Sequence, residues 1–552
     1  MVVEIVAVVA GLVALTAMVR AGARRIGVPD PIALLVVGAA VSWVPGVPPL
    51  RIDPDLVLVV LLPLLLYCAA FAASLPAFRR HIRPILLLSV GLTIVSALAV
   101  GVVASAVVPG LGFAAACALG AAVAPPDAVA ATAVARGIRL PRRVEALLEG
   151  ESLFNDAAAL TVLTVAVAAA TGEGLTFAQA SGQFLLSALG GLVIGGLVAA
   201  VMAWVRRRVR NPYTDVVVFL VAPFAAYLPA DVVGASGLVA VVCTGLYLGH
   251  RATTIMEPGA RVVTGSVRTA VSWLLEGIVF LLVGLKLRDV IAGLASTPLA
   301  VVITSSVAVV ITLVVVRVVW LALTEQAIPA ALGHRSATWG ESTLTAWAGM
   351  RGAVSLAAVL TLPLVMPDGQ AFPQRDLIVF LTFVVILATL LGQGLTLPLL
   401  ARRLAGGGSE VATEARQEAH ARREAADAAL ACLEDMEQDD RGGDEVVDQL
   451  RRRVQNRRHD ADEQLAALES PSHTDGAGTA DSDPQAFLEP RAATDNGQQE
   501  LPRDTYRRYG QAMITAERSR LLSLRDEGNL TEAAFNRIQR ELDLEQAALL
   551  VR

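Results

Sequence analysis

The sequence predicts an all-α polytopic membrane protein of about 13 spanning helices, because apolar runs recur at the length one helix needs to cross a bilayer. Two further observations agree. Of 552 residues, 55% are hydrophobic and only 17% charged, whereas a soluble domain carries roughly a quarter of its residues as charges. Basic residues also concentrate in every second connecting loop, the pattern of a chain threaded back and forth through a membrane.

A hydrocarbon core about 30 Å thick needs about 20 apolar residues per helix. The runs that meet this measure are 2–19, 28–44, 56–73, 84–108, 113–135, 144–170, 184–205, 216–228, 232–248, 270–285, 299–323, 343–365 and 377–400. The eighth is short, and without it about 12 spans remain. Backbone groups in lipid must pair within their own segment, so each run is read as a helix. The first run has no basic leader and no small-residue cleavage site, and reads as a retained span rather than a signal peptide.

The loops test this reading. Arg20/Arg24/Arg25, Arg79/Arg80/Arg83, Arg136/Arg139/Arg142/Arg143, Arg206/Arg207/Arg208/Arg210, Arg251/Arg261/Arg268, Arg335 and Arg402/Arg403 follow the odd-numbered spans. The even loops hold only Arg51, Lys286, Arg288 and Arg375. The contrast, 20 against 4, predicts odd loops and the C-terminal tail in the cytoplasm and the N-terminus outside.

Charge also divides the chain. Up to Arg403 there are 26 Lys+Arg against 19 Asp+Glu, and beyond it 19 against 31, giving net charges of +7 and −12 that sum to −5. Residues 1–403 are therefore read as the transmembrane domain and 404–552 as a charged tail. In the tail, 410–469 has the composition of one or two polar helices, and 470–500 that of a disordered linker. The piece 501–552 places Phe535, Ile538, Leu542 and Leu549 near helical spacing after a turn at Gly528-Asn529. It reads as a regulatory or dimer-supporting module, or as a solvated appendage. No nucleotide-binding or metal motif occurs there, and no nucleic-acid partner is expected.

The four cysteines show no CxxC spacing, and all six histidines fall outside the apolar runs. Buried chemistry must then use carboxylates, amides, hydroxyls or arginine. A charge at the centre of a span costs roughly 2.5–3.5 kcal/mol, so each one there points to a function. The fifth run holds Pro125-Pro126-Asp127, the sixth Glu151-Ser152-Leu153-Phe154-Asn155-Asp156, the eleventh Arg317, and the twelfth Gly349-Met350-Arg351-Gly352-Ala353. On a helix, Ser152 and Asp156 stack on one face, with Glu151 and Asn155 on the next stripe about 100° away. Glu151 needs a cation and Arg317 an anion; they are natural partners, with Arg351 the rival.

Two prolines remove backbone donors and predict a broken fifth helix at Asp127, whose freed carbonyls and carboxylate are hard oxygen ligands for a small cation. The glycines about Arg351 predict a similar break in the twelfth span. Interrupted segments at corresponding positions mark a transporter built from inverted repeats, here spans 1–6 and 8–13.

Glu151 to Asp156 resembles the ExxxND signature of sodium/proton exchangers of the first monovalent cation:proton antiporter family, in its NhaP-like and YjcE-like bacterial branch. Gly349 to Ala353 is similar to that family's G-L-R-G-A segment, and Gly245 to Gly249 and Phe280 to Leu285 resemble two further stretches. The likeness covers about 2–403. It implies alternating access in a bacterial plasma membrane, a homodimer, and no cofactor beyond the transported Na+ (or Li+ or K+) and H+. It implies that Asp156 holds cation or proton in turn, that Asn155 supports the site, and that Ser152, Asp127 and the Pro126 carbonyl are further ligands. It also implies the Glu151–Arg317 pair, with Arg351 in support. Two departures stand out. The family's Thr-Asp-Pro is here Pro126-Asp127-Ala128, and a glutamate common in the third span is absent from Tyr67-Cys68-Ala69-Ala70.

Asn155 in place of a second acid predicts electroneutral exchange, serving pH and sodium homeostasis. The rival readings are an organic-anion symporter, which calls for substrate-sized polar clusters on several spans, and an intramembrane aspartyl protease on Asp127 and Asp156. Both aspartates lack the Gly-x-Gly-Asp context of such proteases.

Overall fold

A computed structural model describes residues 2–45, 56–73, 75–127, 131, 140–172, 177–209, 211–294, 297–327, 337–366, 369–404, 409–439, 444–469 and 503–551. The chain divides into two compact units, Met1–Gly406 and Gly407–Arg552. Among the described residues all regular elements are helical, apart from one isolated bridge between Val365 and Ala371.

The first unit opens with α1 (Val2–Ile26) and α2 (Asp30–Ser42). A π-helical turn, Leu56–Leu61, runs into α3 (Leu62–Ala72), followed by the short α4 (Leu75–Arg80). Then α5 (Ile82–Leu86), a second π turn (Leu87–Leu92) and α6 (Thr93–Val107) form one continuous segment. After α7 (Phe113–Val123) come α8 (Arg142–Ala170), α9 (Phe177–Arg206), α10 (Pro212–Val232), α11 (Gly237–Ile255), α12 (Pro258–Leu285) and α13 (Leu287–Ala292). The unit ends with α14 (Leu299–Leu321), a π turn (Ala322–Ala327), α15 (Trp339–Trp347), α16 (Ala353–Leu360) and α17 (Arg375–Leu404).

Among the described residues eight helical segments are long and apolar enough to cross a membrane, and Asp30–Ser42, Val59–Ala72 and Phe113–Val123 are shorter apolar helices. Local chemistry sets several starts. The Asn211 side chain accepts the Tyr213 N–H ahead of Pro212, and the Ser236 hydroxyl accepts the Val239 N–H. Thr338 and Glu341 form a reciprocal capping box at α15.

α12 differs from its sequence reading. It begins at Pro258 rather than at residue 270, so Arg261 and Arg268 belong to a helix rather than a loop. An apolar-run count finds only the greasy part of a helix and misses a polar first third.

Packing follows membrane rules, with small residues where backbones cross. A Cβ on Gly284 would collide with the Leu35 carbonyl of α2, and one on Gly120 with the Ala97 backbone of α6. By contrast Leu186, Val193 and Leu197 of α9 are exposed, as suits helices whose solvent is hydrocarbon.

The second unit holds α18 (Ser409–Asp439), α19 (Asp444–Glu469), α20 (Arg503–Asp526) and α21 (Glu532–Val551). Their apolar stripes close a core that includes Leu433, Val454, Tyr509, Leu521, Phe535 and Leu542. The expected linker at 470–500 lies outside the described residues. Glu517, 2% exposed, is held by Arg457 at 2.8 Å, and Arg457 is shared with Glu545 at 2.9 Å.

Burial pushes the Glu517 carboxyl up from its ordinary 4.5 to about 7; Arg457 opposes the shift and Glu545 adds to it. The folded tail therefore binds a proton that the unfolded chain releases above about 4.5. The contribution of Glu517 to stability is full below that pH and is lost as pH rises through about 7. Limited proteolysis of the full-length protein is expected to nick 503–551 faster at pH 8 than at pH 5, and Glu517→Gln to flatten the difference. Equal cleavage of the wild type at both pH values would contradict this assignment.

Candidate functional site

Two interrupted segments meet inside the membrane unit. α7 stops at Val123, and Ala124 to Asp127 leave the helix, because Pro125 and Pro126 offer no N–H to continue it. α15 stops at Trp347 and α16 starts at Ala353, with non-helical backbone between. The two breaks join directly, the Asp127 N–H donating to the Met350 carbonyl at 2.7 Å. The glycines of the second break permit this approach. A Cβ on Gly352 would strike the Asp127 carboxylate, and one on Gly349 the Arg317 guanidinium.

α8 forms the third wall. Asn155 donates from Nδ2 to the Pro126 carbonyl at 2.8 Å, fastening α8 to the first break. The Asn155 Oδ1 is buried with no hydrogen-bond partner among the described residues. Asp156, the next residue, is 6% exposed and within Coulombic reach of Asp127. Ser152 is half-buried one turn before Asp156, on the same stripe. Two carboxylates, an amide oxygen, a carbonyl and a hydroxyl therefore converge from α8 and the α7 break. That is a hard, oxygen-only donor set suited to a small cation.

Both arginines that the sequence placed within spans, Arg317 and Arg351, are buried and find partners. Arg317 grips Glu151 with two bonds, Nη1 to Oε1 at 2.6 Å and Nη2 to Oε2 at 2.8 Å. It also donates to the Thr345 and Ala346 carbonyls at the end of α15. Of the two candidates the sequence left open for Glu151, the structure places Arg317 there. Arg351 instead donates to the Val123 carbonyl at 2.9 Å and to the Gly349 carbonyl, while its own N–H donates to Thr389 Oγ1 at 3.1 Å. A guanidinium thus caps the open C-terminal end of α7, where carbonyls lack helical partners.

Other contacts reach further along the chain. Arg143, a sequence neighbour of Glu145 and Glu149, reaches Glu325 at 3.4 Å and Glu341 at 3.6 Å. Glu325 is buried in a π turn and also accepts from the Ser342 hydroxyl at 2.9 Å. The sequence showed Thr338 and Glu341 at capping-box spacing, which could have announced the start of α15, but nothing local announced Glu325. At the third-span position lacking an acid, Tyr67 and Cys68 are buried, and Tyr67 packs on Phe71 and Phe219.

Residues 11–403 match the model of the sodium/hydrogen exchanger transmembrane family. An uncharacterised Na+/H+ exchanger of Mycobacterium tuberculosis is 35% identical over 409 residues, covering 71% of this chain and 73% of that protein. The uncharacterised Na+/H+ exchanger YjcE of Escherichia coli is 31% identical, covering 74% and 78%. The Na+/H+ antiporter ApNhaP of Aphanothece halophytica is 30% identical, covering 74% and 75%. The structure of the sodium proton antiporter MjNhaP1 from Methanocaldococcus jannaschii superimposes with a TM-score of 0.59 at 20% identity, covering 73% of this chain and 99% of that one. The fold is shared.

Removing either partner of the Glu151–Arg317 pair strands a charge in a dry interior, at a cost of about 3–5 kcal/mol. Glu151→Ala and Arg317→Ala should each lower the melting temperature of the detergent-solubilised protein sharply. The double variant Glu151→Gln/Arg317→Met should regain most of the loss. A double variant no better than the singles would mean that the pair's charges do not answer each other.

Proposed function

The chain belongs to the sodium/hydrogen exchanger family, and from that premise we propose that Asp156 is the carboxylate that carries a sodium ion and a proton in turn. The protein is a multi-pass membrane transporter rather than an enzyme, and it exchanges a monovalent cation for protons.

The observation that carries the Asp156 assignment is its burial beside Asp127, at the place where two broken segments dock. A bare carboxylate there is costly, so it is neutralised by a proton or by a cation. The two compete for the same oxygens, and that competition couples their movements. Asp127 and Ser152 are assigned as further cation ligands, together with the freed backbone at Pro126. Asn155 holds the α7 break in place through its Nδ2 and presents its unpartnered oxygen. The Glu151–Arg317 pair and Arg351 brace α8, α14 and the two breaks as one block. Exchange then proceeds by alternating access, one helix bundle moving against the other about the site.

Sodium is the proposed physiological cation, with lithium and potassium as competitors. A Bacillus pumilus relative 30% identical to this chain is named a sodium, potassium, lithium and rubidium/H+ antiporter. The proposal places the protein as a homodimer in a bacterial plasma membrane, N-terminus outside and tail in the cytoplasm, exchanging one Na+ for one H+ in pH and sodium homeostasis.

In everted vesicles or proteoliposomes holding a proton gradient, added Na+ should dequench a pH-sensitive dye with wild-type protein and not with Asp156→Asn. Asp127→Asn should lower the rate at least about tenfold, the loss of roughly one good charged contact. The apparent KM for Na+ should rise as pH falls, because protons displace the cation from a shared carboxylate. Na+-driven proton flux through Asp156→Asn, or a KM indifferent to pH, would overturn the assignment.

A further inference from the structure

Ile85, Ser89, Thr93, Ala97 and Gly101 lie four residues apart along the Ile82–Val107 segment, so they form one stripe. The contacts at its two ends differ. Ile85 packs where a side chain on Gly150 of α8 would go. Ala97 lies against Gly120 of α7, and Gly101 against Cys117 of α7. The stripe therefore starts on α8 and finishes on α7, and its middle pair, Ser89 and Thr93, faces the seam between them. That seam is where α7 breaks and where α8 presents Asn155 and Asp156.

Depth agrees with direction. Both α8 and this segment follow basic odd-numbered loops and so run the same way, and with Ile85 against Gly150 this sets Ser89 and Thr93 beside the turn holding Asn155 and Asp156. α7 runs antiparallel through Ala97 with Gly120 and Gly101 with Cys117, which sets Thr93 level with Ala124 and Pro125.

The hydroxyls themselves are unusual. Ser89 is 0% exposed and Thr93 1%, and neither Oγ has a hydrogen-bond partner among the described residues. Many hydroxyls elsewhere in this unit donate to the carbonyl one turn back, as Thr161 does to Ala157, Thr312 to Ala308 and Thr382 to Ile378, while Thr16, Ser96, Thr253 and Ser355 share the unpaired state. A buried hydroxyl left unpaired costs free energy that a ligand can recover. Ser89 also sits in the π turn Leu87–Leu92, a local overwidening frequent at functional sites.

We propose that Ser89 and Thr93 complete the cation pocket of Asp156 and Asp127 as two neutral oxygen ligands contributed by a third wall, binding the ion directly or through one water. This rests on the reading of Asp156 as the exchange site. Neutral oxygens help replace the hydration shell of a monovalent ion without adding charge, so their loss weakens cation binding while leaving proton binding at the carboxylate in place.

The test uses purified full-length protein in proteoliposomes, with Na+ as the probe. Ser89→Ala and the isosteric Thr93→Val should each raise the apparent KM for Na+ about five- to tenfold, with maximal rate within about twofold, as expected for losing one ligand. Thr93→Ser should restore the wild-type KM. Thr16→Val removes a hydroxyl equally buried and unpartnered but on α1, and its KM should not move. A purely structural role would instead lower maximal rate and melting temperature together at constant KM. Unchanged KM in both Ser89→Ala and Thr93→Val, with an active wild type, overturns the proposal; so does an equal shift in Thr16→Val. A wild type without Na+-dependent flux defeats the exchange reading itself.

Discussion

Hydrocarbon offers no hydrogen bonds, and that one constraint governs the site. A helix broken in mid-membrane frees backbone groups that nothing in lipid can satisfy, so a break survives only if protein satisfies it. Here three of the freed groups are answered by other functional elements. The Pro126 carbonyl takes Asn155, the Val123 carbonyl takes Arg351, and the Asp127 N–H reaches the Met350 carbonyl of the opposing break. The irregular backbone that can bind an ion and the scaffold that holds it are therefore the same set of bonds. Substituting Asn155 or Arg351 disturbs position before it disturbs chemistry.

Local spacing explains what the sequence could reveal. Ser152, Asn155 and Asp156 share one helix, and a 3.6-residue repeat assigns their stripes from spacing alone. Glu151 and Arg317 were visible because an ionised group in an apolar run must have a partner, and few partners existed. The two breaks were visible through Pro125, Pro126, Gly349 and Gly352. What stayed hidden joins distant pieces of chain. Nothing in local sequence says that Met350 rather than another carbonyl receives the Asp127 N–H, or that Arg351 turns to Val123 and leaves Glu151 to Arg317. Ser89 and Thr93 were hidden for another reason. Hydroxyls in membrane helices usually satisfy themselves on their own backbone, so only the three-dimensional arrangement shows which do not and which of those face the site. Amphipathic ends were also lost, as at Pro258, where hydropathy falls before the helix does.

The charges of this region decide the form the exchange takes. Glu151 and Arg317 cancel within one bidentate pair. Arg351 and Asp127 carry opposite formal charges on the two docked breaks, so they too sum to zero. Asp156 remains as the single carboxylate in excess among these five residues, and Asn155 beside it adds none. Moving the block across a low-dielectric barrier is least costly when that excess is cancelled, and one proton or one monovalent ion cancels it equally well. A divalent ion would leave the block positive, and so would two protons. Neutrality of the loaded block is consistent with the proposed exchange of one monovalent cation for one proton. The neutral donors, from the Asn155 amide to the proposed Ser89 and Thr93 hydroxyls, act on a different quantity. They leave the charge sum untouched and set how well each cation exchanges its water for protein, so selectivity among sodium, lithium and potassium is a property of the walls while stoichiometry is a property of the carboxylate.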